Sequence, residues 1–383
     1  MKLEVSFGEA VDKLTILEIK KRKIADENKR VEVAKEYDYL FENLKRVLQG
    51  NILYLCSCLT FINEKIWDMQ DEIRDCKNVG EEHYRLCISI LEYNDMRFRI
   101  KNKINCNANS NFKEQKGYNA KKALLLPHLG LGDEFTMVGA VRELSLRYDE
   151  VIIVSKTRNK NNVQVLYEDD PSIRILDVES DIMISPNFGC KNSVLTVYKS
   201  AGYDILLCGM HKNALGTKVH NLNKEKVGNR PFWEQFYYDI GLNYHDRFIY
   251  SYVSTNDRQI DLFNKLASIT GEKREYIFIH DKKGINEIKN IQCDDDTYIF
   301  NVNNNYYQAD HKFGKLWPNF SDPIMNFKLI LENAKEIHLI NSSYLCFASL
   351  LDLSKVNKKV IYLFDRKMDL STYFKDFSEW KVV

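Results

Sequence analysis

The sequence predicts an α/β protein, in which two successive blocks of alternating strands and helices follow an all-helical module. Three observations carry this reading. Residues Lys121 to Ser155 run as a short apolar segment, a glycine turn, a helical pattern and a second apolar segment. A new strand opens abruptly at Glu275-Tyr276-Ile277-Phe278-Ile279-His280 and starts a second alternating block. Before residue 106 the apolar residues recur only at helical spacing. Strands that alternate with helices build parallel sheets covered by those helices.

In the first third, Ser6 with Glu9 three residues later reads as a capping box, and Phe7, Val11, Leu14, Leu17 and Ile24 then line one helix face. A longer stripe runs from Leu40 through Leu44, Val47, Ile52, Leu55, Leu59, Ile62, Ile66 and Met69 to Ile73, with Gly50 where it could break. A third helix follows Gly80, with Leu86, Ile90, Tyr93, Ile100 and Ile104 as its stripe. Stripes flanked by charges imply an antiparallel bundle or coiled-coil hairpin, expected to serve structure or homo-oligomerisation. The stretch SFGEAVDKLTILEIKKRKI, centred on Asp12 to Lys20, also resembles a small helical domain found with bacterial and viral sugar-processing proteins. That likeness implies company and no chemistry. The expected boundaries are a helical module over 1–106, a polar, Asn-rich linker over 107–121, and two α/β domains over 122–255 and 256–383.

Within the first α/β domain, Ala123 to Leu126 and Val151 to Val154 are strands, joined by a helix bearing Phe135, Val138, Val141 and Leu144. Ile173 to Leu176 and Asp204 to Cys208 are further strands, and Pro231 suits the first turn of a short aromatic helix ending at Gly241. A helix from Asp257 to Ile269 leads to the second block. There Tyr298 to Val302, Ile337 to Ile340 and Val360 to Phe364 are strands, while Phe327 to Ala334 and Tyr344 to Leu351 are helices. Two such blocks imply two Rossmann-like domains facing each other.

Composition excludes several classes. Lys+Arg 55 against Asp+Glu 54 leaves no global field for nucleic acid or an anionic membrane. A mean hydropathy of -0.40 with no long apolar run argues against a membrane span. The first residues carry charges throughout and lack a secretory core, and the nine cysteines show no metal spacing, so a cytoplasmic protein with reduced thiols and no metal is expected.

Two constellations are candidate sites. The turn at Gly130, Gly132 and Asp133 follows a strand and opens a helix, where backbone N–H groups can meet a ligand. The plainer reading is a turn whose glycines allow a positive φ and whose Asp133 caps the helix through the N–H of Thr136. In the second block, a strand runs into Asn341-Ser342-Ser343 and a helix, and His280, Lys282 and Lys283 end another strand on the same expected edge. Serine-capped N–H groups beside two ammonium groups suit a diphosphate, although Ser342 as a simple cap and solvated lysines fit the same residues.

HLGLGDEFTMVGAVRELSLRYDEVIIVS resembles the opening of GT-B glycosyltransferases of the heptosyltransferase type, and ENAKEIHLINSSYLCFASLLDL resembles the donor-side segment of that group. FWEQFYYDIG is similar to the aromatic helix that precedes its donor half. The likeness covers the last two-thirds of the chain. It implies a GT-B-like pair of Rossmann-like domains that transfers sugar from a nucleoside-diphosphate sugar to a carbohydrate or other hydroxyl acceptor. The expected outcome is inverting, without metal or cofactor. Asp133, at the Gly-Asp position, would be the base; His280, Lys282, Lys283, Asn341, Ser342 and Ser343 would hold the diphosphate; Gly130 and Gly132 would form the acceptor-side turn. The residues depart from the pattern in a short donor half without an acidic ribose motif, and Asp294-Asp295-Asp296 reads as a solvated loop. A nucleotide-sugar epimerase shares the architecture, and an inactive GT-B scaffold acting in assembly is the third reading. A dehydrogenase fits poorly, because the second strand ends in Ser155-Lys156 where an acid would hold the ribose.

Overall fold

A computed structural model describes residues 4–76, 79–115, 117, 119–128, 130–179, 193–211, 231–271, 275–303, 323–364 and 368–383. Leu129 of the glycine turn and Arg230 before the aromatic helix lie outside them. The chain divides into two compact units, Met1–Ala123 with Val141–Val151, and Leu124–Ala140 with Ile152–Val383.

The first unit begins with four helices, α1 (Phe7–Lys23), α2 (Glu27–Leu44), α3 (Gly50–Asp75) and α4 (Glu81–Asn107). The stripe from Leu40 to Ile73 is therefore split between two helices, and Gly50 at φ +51 opens the second. That left-handed conformation costs glycine little and other residues more. Ser6 caps α1 by accepting from the N–H of Glu9, while the Glu9 carboxylate meets Lys101 Nζ at 2.6 Å. The apolar stripes bury Val11, Leu14, Leu17, Leu59, Ile62, Met96, Ile100 and Ile104. Among them Asp12 is only 3% exposed. It accepts from Asn63 Nδ2 at 2.9 Å and from Arg97 Nε at 2.8 Å, and Asn63 also donates to Thr15 Oγ1 at 2.9 Å. A buried carboxylate needs such partners, so Asp12 and Thr15 pin α1 to α3 and α4 in one register.

The α/β part holds two parallel sheets. The first contains β1 (Lys122–Leu126), β2 (Glu150–Lys156), β3 (Ile173–Val178) and β4 (Asp204–Leu207), ordered β3-β2-β1-β4. Between its strands lie α5 (Leu131–Thr136), α6 (Val138–Arg147), α7 (Lys160–Leu166) and α8 (Val194–Ser200). The expected helix after β1 is thus two helices broken at Met137. Tyr237 explains the break, because its hydroxyl donates to Thr136 O at 2.9 Å and accepts from Ala140 N at 3.1 Å. Tyr237 belongs to α9 (Phe232–Asp239), the aromatic helix. Beyond it, α10 (Arg247–Tyr250) places the fully buried Arg247 against the rings of Tyr244, Phe248 and Tyr373, with Nη1 donating to Tyr244 OH at 2.8 Å and Nη2 to Tyr373 O at 2.8 Å.

The second sheet follows α11 (Asp257–Thr270), whose Asn256 and Gln259 form a reciprocal capping box. Its strands are β5 (Tyr276–His280), β6 (Tyr298–Asn301), β7 (Glu336–Ile340), β8 (Lys358–Tyr362) and β9 (Trp380–Val382), ordered β6-β5-β7-β8-β9 and all parallel. The helices between are α12 (Lys328–Glu332) and α13 (Ser343–Ala348). The strand at Val360 was expected to be the last, but β9 extends the sheet at its edge. Three residues, of which only Trp380 is buried, give no period to read. Among the described residues no helix is long and apolar enough to cross a membrane.

Candidate active site

Both sheets change direction once, and ligands in such sheets bind beyond the carboxyl ends of the strands flanking that switch. In the first sheet the switch lies between β1 and β4; in the second it lies between β5 and β7.

At the second switch, His280 ends β5 and Ser342 follows β7. Ser342 Oγ lies 2.9 Å from His280 Nδ1, across the two strand ends. Ser342 is the N-cap residue of α13, but its side chain makes no capping hydrogen bond. The hydroxyl is committed to the histidine, so the simple cap reading does not hold. The Tyr344 ring covers His280 at 4.4 Å between centroids. Burial pushes the His280 imidazole down to about 4, against the pull of Asp281, so it is neutral at pH 7. A cavity of about 420 Å³ opens here, lined by His280, Lys282, Asn286, Asn303, Asn341 and Ser342 among others.

Lys282 enters this lining through a tight turn. Lys282 N donates to Asn286 O at 3.2 Å, Asn286 N returns to Lys282 O at 2.9 Å, and Gly284 sits at φ +77. The turn hangs on Asp281, 3% exposed, which accepts from Ile288 N and Asn301 Nδ2, each at 2.9 Å. Of the six expected diphosphate residues, His280, Lys282, Asn341 and Ser342 line the cavity, and Lys283 and Ser343 are not part of its lining. Sequence reasoning passed over Asp281. It read there only as one more charge in a charged turn.

The Gly130-Asp133 turn comes to the same region from the other sheet. Gly130 has φ -80 and Gly132 is helical, so neither glycine is present for a positive φ. Close approach is the reason. A methyl at Gly130 would lie 2.8 Å from Asp133 Oδ2, and one at Gly132 would lie 3.1 Å from Cys346 Sγ and 3.9 Å from the Ser343 Cα. α5 therefore packs directly on α13, reinforced by Phe135 against Phe347 at 5.4 Å, and Thr136 Oγ1 separately meets Tyr373 OH, beyond β8, at 2.6 Å. The N-cap of α5 is Gly130, so Asp133 does not cap this helix. It is its third residue, with the carboxylate folded back toward Gly130.

Burial pushes the Asp133 carboxyl up to about 6, which leaves it ionised at pH 7 and able to take a proton. His128, beyond β1, places Nδ1 3.8 Å from Asp133 Oδ2. Burial, with His211 beside it, pushes His128 down to about 4, against Asp239, so no imidazolium neutralises the carboxylate. His128 packs on Phe236 at 4.4 Å and edge-on to His211 at 6.1 Å.

Glu134 is a second residue that sequence reasoning missed. It is fully buried, and Ser155 Oγ donates to its Oε1 at 2.9 Å. Burial pushes it up to about 8, opposed by the hydrogen bonds of Ser155 and Asn159 and reinforced by Asp133. A neutral acid thus ties α5 to the end of β2. Its signal was present: Glu134, Val138 and Val141 share one helical face.

Residues 1–129 match the model of a family described as a family of unknown function (DUF6165). The match covers about a third of the chain, from α1 through β1. No curated protein and no solved structure matches the chain.

Proposed function

We propose that the chain is a glycosyltransferase of GT-B architecture that moves a sugar from a nucleoside-diphosphate sugar to a hydroxyl acceptor with inversion. The observation that carries the reading is the joining of two strand–turn–helix units. The β5/β7 switch offers a cavity with Lys282, Ser342 and His280, and the α5 turn brings an ionised, partly desolvated carboxylate against α13. The two halves of a displacement reaction are thereby supplied from opposite sides.

In this reading Asp133 takes the proton of the acceptor hydroxyl, whose oxygen then attacks the anomeric carbon. The leaving diphosphate develops charge in the cavity, which Lys282 lines and where the Ser342 hydroxyl is already held by His280. Prepositioned donors act more strongly in a water-poor site than water does. Asp281 serves as the positioning residue for Lys282. The experiment is transfer by Asp133→Asn with donor binding measured alongside. Loss of transfer by at least about a hundredfold with binding unchanged supports the base role, and retained turnover removes it. Product analysis without acceptor separates transfer from epimerisation of the donor sugar.

A further inference from the structure

We propose that His280 is a second catalytic residue of this transfer, giving a proton to the departing diphosphate oxygen while Asp133 takes one from the acceptor. The proposal rests on reading the β5/β7 cavity as a diphosphate site. Its geometry is independent of Asp133. His280 lines the cavity, its Nδ1 is held by Ser342 Oγ at 2.9 Å, and Tyr344 covers one ring face at 4.4 Å. Nε2, the other ring nitrogen, is assigned to the ligand.

Among the described residues, the charged and titratable groups lining the cavity with it or covering its ring are these. Asp281 and Lys282 come from its own strand end, Tyr344 from α13 and Tyr362 from β8, while Asn286, Asn303 and Asn341 are neutral amides. The Asp281 carboxylate is spent on Ile288 N and Asn301 Nδ2. Burial therefore keeps the imidazole neutral until an anion arrives. A diphosphate placed in the cavity reverses the balance, because a nearby negative charge favours the protonated ring. Ser342 suits both states, since its hydroxyl donates to a bare Nδ1 and accepts from a protonated one.

The step balances without a further reactant. Donor binding draws one proton from solvent onto His280. The acceptor oxygen bonds to the anomeric carbon and its proton passes to Asp133. The bond from that carbon to the diphosphate oxygen breaks, the electron pair stays on oxygen, and His280 Nε2 supplies the proton. Asp133 then returns its proton to solvent.

The test is titration calorimetry of the full chain with GDP, UDP, ADP and inorganic pyrophosphate at pH 6.5, each in two buffers of different ionisation enthalpy. The expected result is uptake of roughly half to one proton per bound ligand, abolished in His280→Gln. Transfer by that variant should fall about a hundredfold with less change in donor KM. Binding without proton uptake by the unaltered protein overturns the role of His280 and leaves the diphosphate site standing. Binding of none of the four removes both. Should His280→Gln fail to fold, the buffer dependence of the unaltered protein decides alone.

Discussion

Gly132 of α5 and Cys346 of α13 are packed so closely that a methyl group at position 132 would come within 3.1 Å of the thiol sulfur. The contact joins the turn after β1 to the turn after β7, and it sets how near Asp133 comes to the Ser342 side of the cleft. Gly132→Ala should cost about 1–3 kcal/mol through overpacking. Cys346→Ala opens the space, so the double variant should recover part of that loss. Urea denaturation of the four proteins of this cycle checks the coupling. Strictly additive losses would mean that the two residues do not constrain each other.

Asp133 is predicted to hold charge at a cost to stability. Its folded value of about 6 lies above the unfolded 3.8, so folding favours the protonated form. That contribution is full below the unfolded value and is lost as pH rises through 6. Asparagine imitates the protonated acid. Asp133→Asn should therefore be more stable than the unaltered protein at pH 7.5 by about 1–3 kcal/mol, at 1.36 kcal/mol per unit. The gap should shrink as pH falls from 6 toward 4. Melting curves across that range measure it, and equal stability at pH 7.5 would contradict the burial argument. In transfer assays the base role predicts a rate that climbs through about pH 6, and the acid role of His280 predicts a fall again at higher pH.

Glu134 follows the same logic at higher pH. With its value at about 8 the acid is neutral at pH 7, and its stabilising contribution is lost as pH rises through 8. Glu134→Gln keeps an acceptor for Ser155 Oγ and cannot ionise. It should already be the more stable protein at pH 7, because the unfolded carboxyl ionises above 4.5, and the gap should widen until pH passes 8. A large loss at pH 7 would show that the carboxyl is held ionised.

Ser342→Ala separates two roles of one hydroxyl. Loss of an N-cap serine typically costs about 1 kcal/mol. Here the side chain bonds His280 and does not cap α13, so the melting temperature should move little while diphosphate binding weakens several-fold. Calorimetry and thermal melting on one preparation decide it. A full cap penalty with unchanged binding would return Ser342 to a structural role.

Much of this was legible in the sequence, and the failures share a cause. Period and turn residues marked the strands at Ala123, Val151, Tyr276 and Ile337, because buried parallel strands are short apolar runs closed by turns. The same logic pointed to His280 at the end of β5, to Ser342 just beyond β7, and to Gly132 and Asp133 in the first turn of α5. The plainer reading of the glycines, a positive φ, does not hold, and the contact of Gly132 with Cys346 could not be seen locally. The break at Met137 depends on Tyr237, a hundred positions away in the chain. Asp281 was invisible for a similar reason, as its partners Ile288 and Asn301 meet it only after folding. Asp12 and Thr15 read as polar residues on a helix until Asn63 and Arg97 met them.

The central claim is that the cavity between the ends of β5 and β7 holds a nucleoside diphosphate. The measurement is a thermal-shift panel on the full chain with GDP, UDP, ADP, CMP and NAD, run beside Lys282→Ala. A ligand at a hundred times its dissociation constant adds about 2.7 kcal/mol to native stability, which a melting curve resolves. One nucleoside diphosphate should raise the melting temperature clearly, and Lys282→Ala should lose most of the shift. A shift with NAD alone, or no shift with any of the five, would contradict the claim.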